Sequence, residues 1–394
     1  MNLDDFRQEA RSWLDENCPQ EMRLGAVHFE DAYELYQTDA ANTWRDRAAA
    51  RGWTAPTWPT EYGGGGLSKA EAGVLSEELV RIKALPPATG MGLAMIGPTL
   101  LEMGTEDQRQ RHLPKIVTGE AQWCQGYSEP GAGSDLAGLQ TKAVLDGDQF
   151  VLNGQKIWTS GAQHANWMFA LVRTDPEAPK HEGISFVLLP MDQPGVTVKP
   201  IKLISGSSPF CETFFDNAIA QRIDLVGELN KGWSVGKRLL QYERNGATRR
   251  APKSSRKKPT LNAYASVAKQ YIGEDEQGRI ADPAARDEVL TQVMQERALA
   301  LTTQRVLDES QSTGAPGAAT SIFKLVGSTL SKQGSQLKST LRGTAGLVWD
   351  SDEFSEDELE STRAWLRDRA VTIYGGTNEV QQNIIAKRVL GLPD

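Results

Sequence analysis

Cysteine and histidine are scarce in this chain of 394 residues, and the few present are scattered. The three cysteines (Cys18, Cys124 and Cys211) are odd in number and lack metal-ligand spacing, which argues against a disulfide framework and leaves reduced thiols. The four histidines (His28, His112, His164, His181) are equally dispersed, so no zinc or catalytic-histidine motif emerges and no metal is expected. No apolar run approaches the roughly 20 residues that cross a bilayer. The opening "MNLDDFRQEARSWLDE" mixes acids and bases and lacks the apolar stretch of a signal peptide, so no membrane role and a cytoplasmic location are expected. Positive charge is also short. With 43 Lys and Arg against 51 Asp and Glu the net charge is −8, which argues against generic nucleic-acid binding. The local exception, "RRAPKSSRKK" at 249–258, reads as a solvated loop or, more sharply, as a contact for a phosphate-rich ligand or an acidic partner.

What is present is an ordinary globular composition, 39% hydrophobic and 24% charged, in a chain long enough for two or three structural units. The first 120 residues read mainly as helices. Ser68 with Glu71 makes a capping-box pattern ahead of apolar residues at helical spacing, and Thr105 precedes a charged first turn. From about 124 to 226 the texture changes to short apolar stretches bounded by Pro, Gly or Asp. Within "GDQFVLNGQKIWTS" the Asn153-Gly154 pair predicts a hairpin turn. After Gly232 the helical period returns over 234–244, 284–310, 321–345 and 356–371, with a last helix starting near Glu379; 246–262 fits no element. The order predicts an α+β fold: an N-terminal helical domain (1–122), a central small β-barrel-like domain (123–230) and a C-terminal helical bundle (231–394).

Two segments carry chemistry. "YSEPGAGSDLAG", 127–138, supplies free backbone N–H groups and the hydroxyls of Ser128 and Ser134 on small residues, without the strand and helix register of a dinucleotide fingerprint. Alone it also fits a plain turn. "KIWTSGAQHANW", 156–167, sets Trp158 beside Thr159 and Ser160, a flat face next to hydrogen-bonding groups, although a core tryptophan at a strand end has the same local look.

Together, in order and spacing, these segments resemble the acyl-CoA dehydrogenase family, whose flavin-binding segments have the forms "TEPxAGSD" and "KxWITN". "LVGELNKGW" at 225–233 and "YGGTNEVQQNIIAKRVLG" near the C-terminus are similar to further family signatures, and the likeness runs from about residue 45 onward. The resemblance implies N-terminal helices, a central β-domain, a C-terminal four-helix bundle, and FAD held between domains and subunits. It implies Gln125, Tyr127 and Ser128 along the flavin, Trp158 over its ring with Thr159 beside it, and Ser160 near its reactive nitrogen. Ser134 matches a position shared by cofactor and substrate CoA; Thr377 and Glu379 match positions that reach the nucleotide half.

The family reaction removes a proton from the carbon beside a thioester and a hydride from the next, which requires a carboxylate base and donors to the enolate oxygen. Many relatives carry that carboxylate directly after the tyrosine of the C-terminal signature, where this chain has Gly375. Isovaleryl-type, long-chain-type and bacterial steroid side-chain members carry it before an arginine on the helix after the β-domain, where this chain has Glu243 and Arg244. The resemblance therefore implies Glu243 as base, the Gly375 N–H as donor to the thioester oxygen, and Gly376 as room for a bulky acyl group. It places Gln241 and Arg244 on the substrate-lining helix, with a structural ion pair as the alternative for Arg244; Met91, Met95 and Ile96 are candidates for shaping the pocket. The family's "RxxFG" motif, which reaches the neighbouring subunit's FAD, has no counterpart here. That leaves two arrangements, a homo-oligomer with altered contacts or a heteromer with a related chain. An electron-transfer flavoprotein is the implied electron acceptor, and a flavin oxidase or monooxygenase of the same fold and a catalytically silent partner subunit are the alternatives.

Overall fold

The computed structural model describes residues 2–25, 27, 29–247, 261–313 and 321–393, with side chains described for all of these except 29–31, 243–247, 261–262, 307, 310–313 and 321. The N-terminal helices are α1 (Leu3–Asn17), α2 (Phe29–Leu35), α3 (Asp39–Ala49), α4 (Lys69–Arg81), α5 (Gly97–Met103) and α6 (Glu106–Thr118). Their starts follow from side-chain caps: Asn2 accepts from the Asp4 and Asp5 amides, and complete capping boxes form at Ser68–Glu71 and Thr105–Gln108. α1 and α4 are joined by a buried carboxylate, since Glu78 accepts from Arg7, Arg11 and Arg81 at 2.6–3.2 Å.

Seven strands follow: β1 (Trp123–Gly126), β2 (Lys142–Asp146), β3 (Gln149–Ser160), β4 (Trp167–Arg173), β5 (Ile184–Pro190), β6 (Val196–Ile201) and β7 (Phe210–Gln221). They form one sheet in the order β1-β4-β2-β3-β7-β6, with β5 also paired to β4. The hairpin expected at Asn153-Gly154 is not there. The β2–β3 turn is the two-residue loop Gly147-Asp148, with Gly147 at φ +59° as a type II′ loop requires at its first position. Asn153-Gly154 lies inside the 12-residue strand β3 as a bulge, where the register against β7 slips. Asn153 Oδ1 accepts from the Asn217 amide at 3.0 Å, and Asn217 sits at φ +56° to make that exchange. Gly154 is needed for close approach, because a Cβ there would lie 2.8 Å from Thr141 Cα.

The remaining helices are α7 (Gly232–Ala247), α8 (Leu261–Ile272), α9 (Pro283–Thr313), α10 (Ser321–Leu341), α11 (Glu356–Arg367) and α12 (Asn378–Ile384). Five of them match the helical stretches read from sequence. α8 was not anticipated, because its start directly follows the basic run, whose residues lie outside those described.

Contacts divide the chain into two compact units, Met1–Lys202 with Ser208–Arg256, and Leu203–Ser207 with Lys257–Asp394. In the first, α7 packs on β5 and α5, with Val235 and Leu239 buried beside Leu171, Phe186 and Leu188. In the second, Tyr264, Ala268, Val289, Leu337 and Leu341 from α8, α9 and α10 form the core. Among the described residues no helix is long and apolar enough to cross a membrane, and no group of three His, Cys, Asp or Glu could hold a metal ion.

Candidate active site

β1 runs parallel to β4 and delivers the chain into the loop that begins at Tyr127. There Glu129 and Ala132 exchange backbone hydrogen bonds, each N–H donating to the other's carbonyl at 3.0 Å, which folds the Pro130-Gly131 turn tightly. The Glu129 carboxylate turns inward and accepts from the amides of Gln140 and Thr141. It also accepts from Lys156 Nζ at 2.7 Å, and the same fully buried ammonium donates to the carbonyls of Tyr127 and Leu171. Burial pushes the Lys156 pKa down to about 8 against the pull of Glu129. For Glu129 burial acts upward, but Lys156 and the amide donors outweigh it and hold the carboxyl below its usual range. Both groups are therefore ionised at neutral pH, and the glutamate of one motif locks the lysine of the other. A further bond, from the Ile157 amide to the Ser128 carbonyl at 2.9 Å, completes the seam.

Directly beyond it the β3–β7 register slips again, between Lys156 and Thr159. Trp158 sits in that slip at φ +60°, a left-handed backbone that costs a bulky residue roughly 1–3 kcal/mol. Trp158 is 52% exposed, and its ring meets the edge of Phe210. A large aromatic side chain held in a strained conformation with an open face is positioned for a flat partner. The neighbouring loop matches that need, since a Cβ at Gly131 or Gly133 would meet nothing within 4 Å. The protein's own packing does not require glycine there, so the space and the N–H groups are left for something outside the chain. Ser134 is exposed beside them, while Gln125, Ser128 and Ser160 are half-buried. Tyr33, on α2, packs on the Gly161 turn just past Ser160.

Two expected contributors depart from their assigned directions. Thr159 turns into the sheet, its hydroxyl bonded to the Cys211 carbonyl at 2.8 Å and paired with Thr213 Oγ1, because strand alternation resumes after the slip. The Tyr127 ring is buried edge-on to Phe169 and Phe186. On α7, the exposed Gln241 accepts from Arg238, which with Tyr242 holds Glu102 of α5, so its amide is engaged in an inter-helix network. Met95 and Ile96 are buried in the core of the first unit and Met91 is half-buried. Glu243 and Arg244 fall on α7, but their side chains lie outside the described residues; position 243 follows the buried Val235 and Leu239 at successive four-residue steps along the helix.

In the second unit the glycine pair ends the approach to α12. Gly375 and Gly376 take φ +65° and +92°, and a Cβ at Gly375 would meet nothing within 4 Å. Thr377 is the N-cap of α12, its hydroxyl accepting from the Val380 amide at 3.1 Å, and Glu379 is exposed in the first turn.

The Glu129–Lys156 lock is what sequence reading missed. Its signal was available: the glycine-rich motif carries only acids, Glu129 and Asp135, and the aromatic-rich motif carries the cation Lys156.

Along the chain a curled sheet is flanked by helical stretches, and a strained, exposed indole lies on the strand bonded to a glycine-rich loop. The family models agree: "Acyl-CoA dehydrogenase, N-terminal domain" matches residues 2–120, the middle domain 124–218 and the C-terminal domain 230–390. The chain belongs to the acyl-CoA dehydrogenase family, flavoproteins that oxidise a CH–CH bond, and is an oxidoreductase of that class. It is 38% identical to the acyl-CoA dehydrogenase IpdE1 of Mycobacterium tuberculosis over 100% of this chain and 98% of that protein. Among solved structures it is similar to the Tcur3481-Tcur3483 steroid acyl-CoA dehydrogenase (TM-score 0.76, 29% identity, 99% of this chain and 97% of that one). It is also similar to the ChsE4-ChsE5 complex from Mycobacterium tuberculosis (TM-score 0.74, 30% identity, 100% and 98%).

Proposed function

We propose that the chain binds FAD and converts a branched, long or ring-bearing acyl-CoA to its trans-2-enoyl-CoA. The observation that carries this reading is the empty space at Gly375, which supports a base supplied from elsewhere in the chain and room for a bulky acyl group. Solved relatives described as a steroid enzyme point the same way for substrate size. In this mechanism the Glu243 carboxylate takes the proton from C2 of the thioester. The Gly375 N–H donates to the thioester oxygen as negative charge develops there. Bound FAD supplies the acceptor for the hydride that leaves C3. Trp158 covers one face of its ring, and Gln125, Ser128, Ser160 and the backbones of Tyr127 and Thr159 line the adjoining segment. Ser134 bridges cofactor and CoA, and Thr377 and Glu379 serve the nucleotide half. Gln241, Arg244 and Gly376 border the acyl group. The three domains are read as 1–122, 123–230 and 231–394, and electrons then pass to an electron-transfer flavoprotein in the cytoplasm.

Anaerobic titration with butanoyl-, 3-methylbutanoyl-, hexadecanoyl- and a steroid-ring-bearing propanoyl-CoA tests the reading. One of them should bleach the flavin. Glu243→Gln should bind the same thioester yet reduce about 100- to 10,000-fold more slowly. Bleaching by none of the panel would overturn the assignment.

A second reading is favoured by two solved relatives, the Tcur3481-Tcur3483 enzyme and the ChsE4-ChsE5 complex, each of which pairs two named chains. This chain then works in a heteromer with a related chain, either as the active subunit or as a silent one that supports it. Purification of the chain with no flavin, alone or with its partner, would mark the silent role.

A further inference from the structure

A Cβ at Gly375 would meet nothing within 4 Å, so packing does not set the direction of its N–H group and something else must. α10 carries the parts that do so. Lys324 Nζ donates to the carbonyl of Val371, four residues before Gly375, and lies 4.9 Å from the centroid of the Tyr374 ring. Burial lowers the Lys324 pKa, as expected of an ammonium taken partly out of water. One helical turn further along, the Ser328 hydroxyl donates to Asn378 Oδ1 at 2.9 Å, and Asn378 Nδ2 donates to Thr329 Oγ1 at 3.4 Å. The Asn378 amide in turn donates to the Thr372 carbonyl at 3.0 Å, which closes the loop on itself.

We infer that Lys324 and Ser328 are positioning residues for the thioester site: α10 pins the chain at Val371 and Asn378 and thereby aims the Gly375 N–H that lies between. The inference rests on the reading of Gly375 as the donor to the thioester oxygen. The two pins lie on successive turns of one helix, whereas a Cβ at Gly375 would touch nothing, so the orientation of the loop depends on its ends. The arrangement suits a donor that must be aimed without a side chain filling the substrate's space. Misplacement by about 1 Å is enough to cost on the order of 100-fold in rate.

The test uses the acyl-CoA that bleaches the wild-type protein, labelled with 13C at its carbonyl, and reads the carbonyl stretch of the bound thioester by isotope-edited infrared spectroscopy. A hydrogen bond from Gly375 lowers that frequency in the wild type. Lys324→Met should return it toward the value in water and cut the reduction rate about 10- to 100-fold, with the far-ultraviolet circular dichroism and CoA binding unchanged. Lys324→Arg, which keeps a donor, should recover most of both. Should Lys324→Met fail to fold, Ser328→Ala carries the same readout with a smaller shift. A frequency and rate unchanged in both Lys324→Met and Ser328→Ala would overturn the positioning role. A wild-type enzyme that is bleached but shows no lowered frequency would instead overturn the donor reading of Gly375, and the inference with it.

Discussion

Two glycine-bearing segments, one in each compact unit, are held by opposite means. The cradle at 127–134 is sewn down along its length by a buried ion pair, four carbonyl or amide contacts around it and the Ile157–Ser128 bond. The loop at 371–378 is fastened at its two ends to α10, and a Cβ at Gly375 in its middle would meet nothing. The cradle's construction suits a partner whose shape never changes, such as a resident ring. Tethering at the ends suits one that arrives and leaves, because the open middle accommodates it while the ends preserve aim. The lesson is that glycine content alone does not describe a binding loop; what anchors its flanks does.

The comparison breaks most severely at Lys156. Lys156→Met strands the Glu129 carboxylate in a buried site, and urea unfolding should show a loss of about 3–5 kcal/mol. The double variant with Glu129→Gln should recover a large part of that loss, because no uncompensated charge remains. Acid separates the two units rather than the two segments. Glu78 is held at a pKa of about 2, first by its bond to Arg11 and then by Arg81 and Arg7 against the opposing effect of burial. A depressed folded-state pKa contributes stability that is complete above the ordinary value of 4.5 and fades as pH falls toward 2. The first unit should lose about 2 kcal/mol over that window, a figure reduced for the partly exposed arginines, and Glu78→Gln should remove the dependence. Amide exchange at 371–378, where the pins are a lysine and neutral groups, should stay flat over the same window. The smallest effect gives the sharpest contrast. Gly133→Ala, at a position with ordinary φ and open space, should leave the melting temperature unchanged and weaken FAD binding about tenfold or more. Gly375→Ala, at φ +65°, should cost about 1 kcal/mol of stability through backbone strain alone and leave FAD affinity unchanged.

Much of this organisation was legible in the residues. Both capping boxes begin helices where Ser68 and Thr105 predicted them, and the strand-rich texture read from about 124 to 226 is where the strands β1 to β7 lie. The legible features were local, written within three or four residues. What escaped depended on partners far along the chain. Asn153-Gly154 has the chemistry of a turn, yet β7 recruits it as a bulge through Asn217, 64 residues away. Lys156 is fully buried through its bond to Glu129, 27 residues earlier. Thr159 looked like a neighbour of the ring because sequence order hides the register slip that turns its side chain away.

The Asn153-Gly154 bulge also has a chemical consequence. Asparagine followed by glycine is the sequence most prone to cyclise and deamidate, because nothing on glycine hinders its nitrogen from attacking the side-chain carbonyl. Here that carbonyl oxygen is engaged by the Asn217 amide, and the pair lies in a strand. The native sheet thus protects its own weak point, and aspartate or isoaspartate accumulating at position 153 would record the time each molecule has spent with β3 and β7 apart.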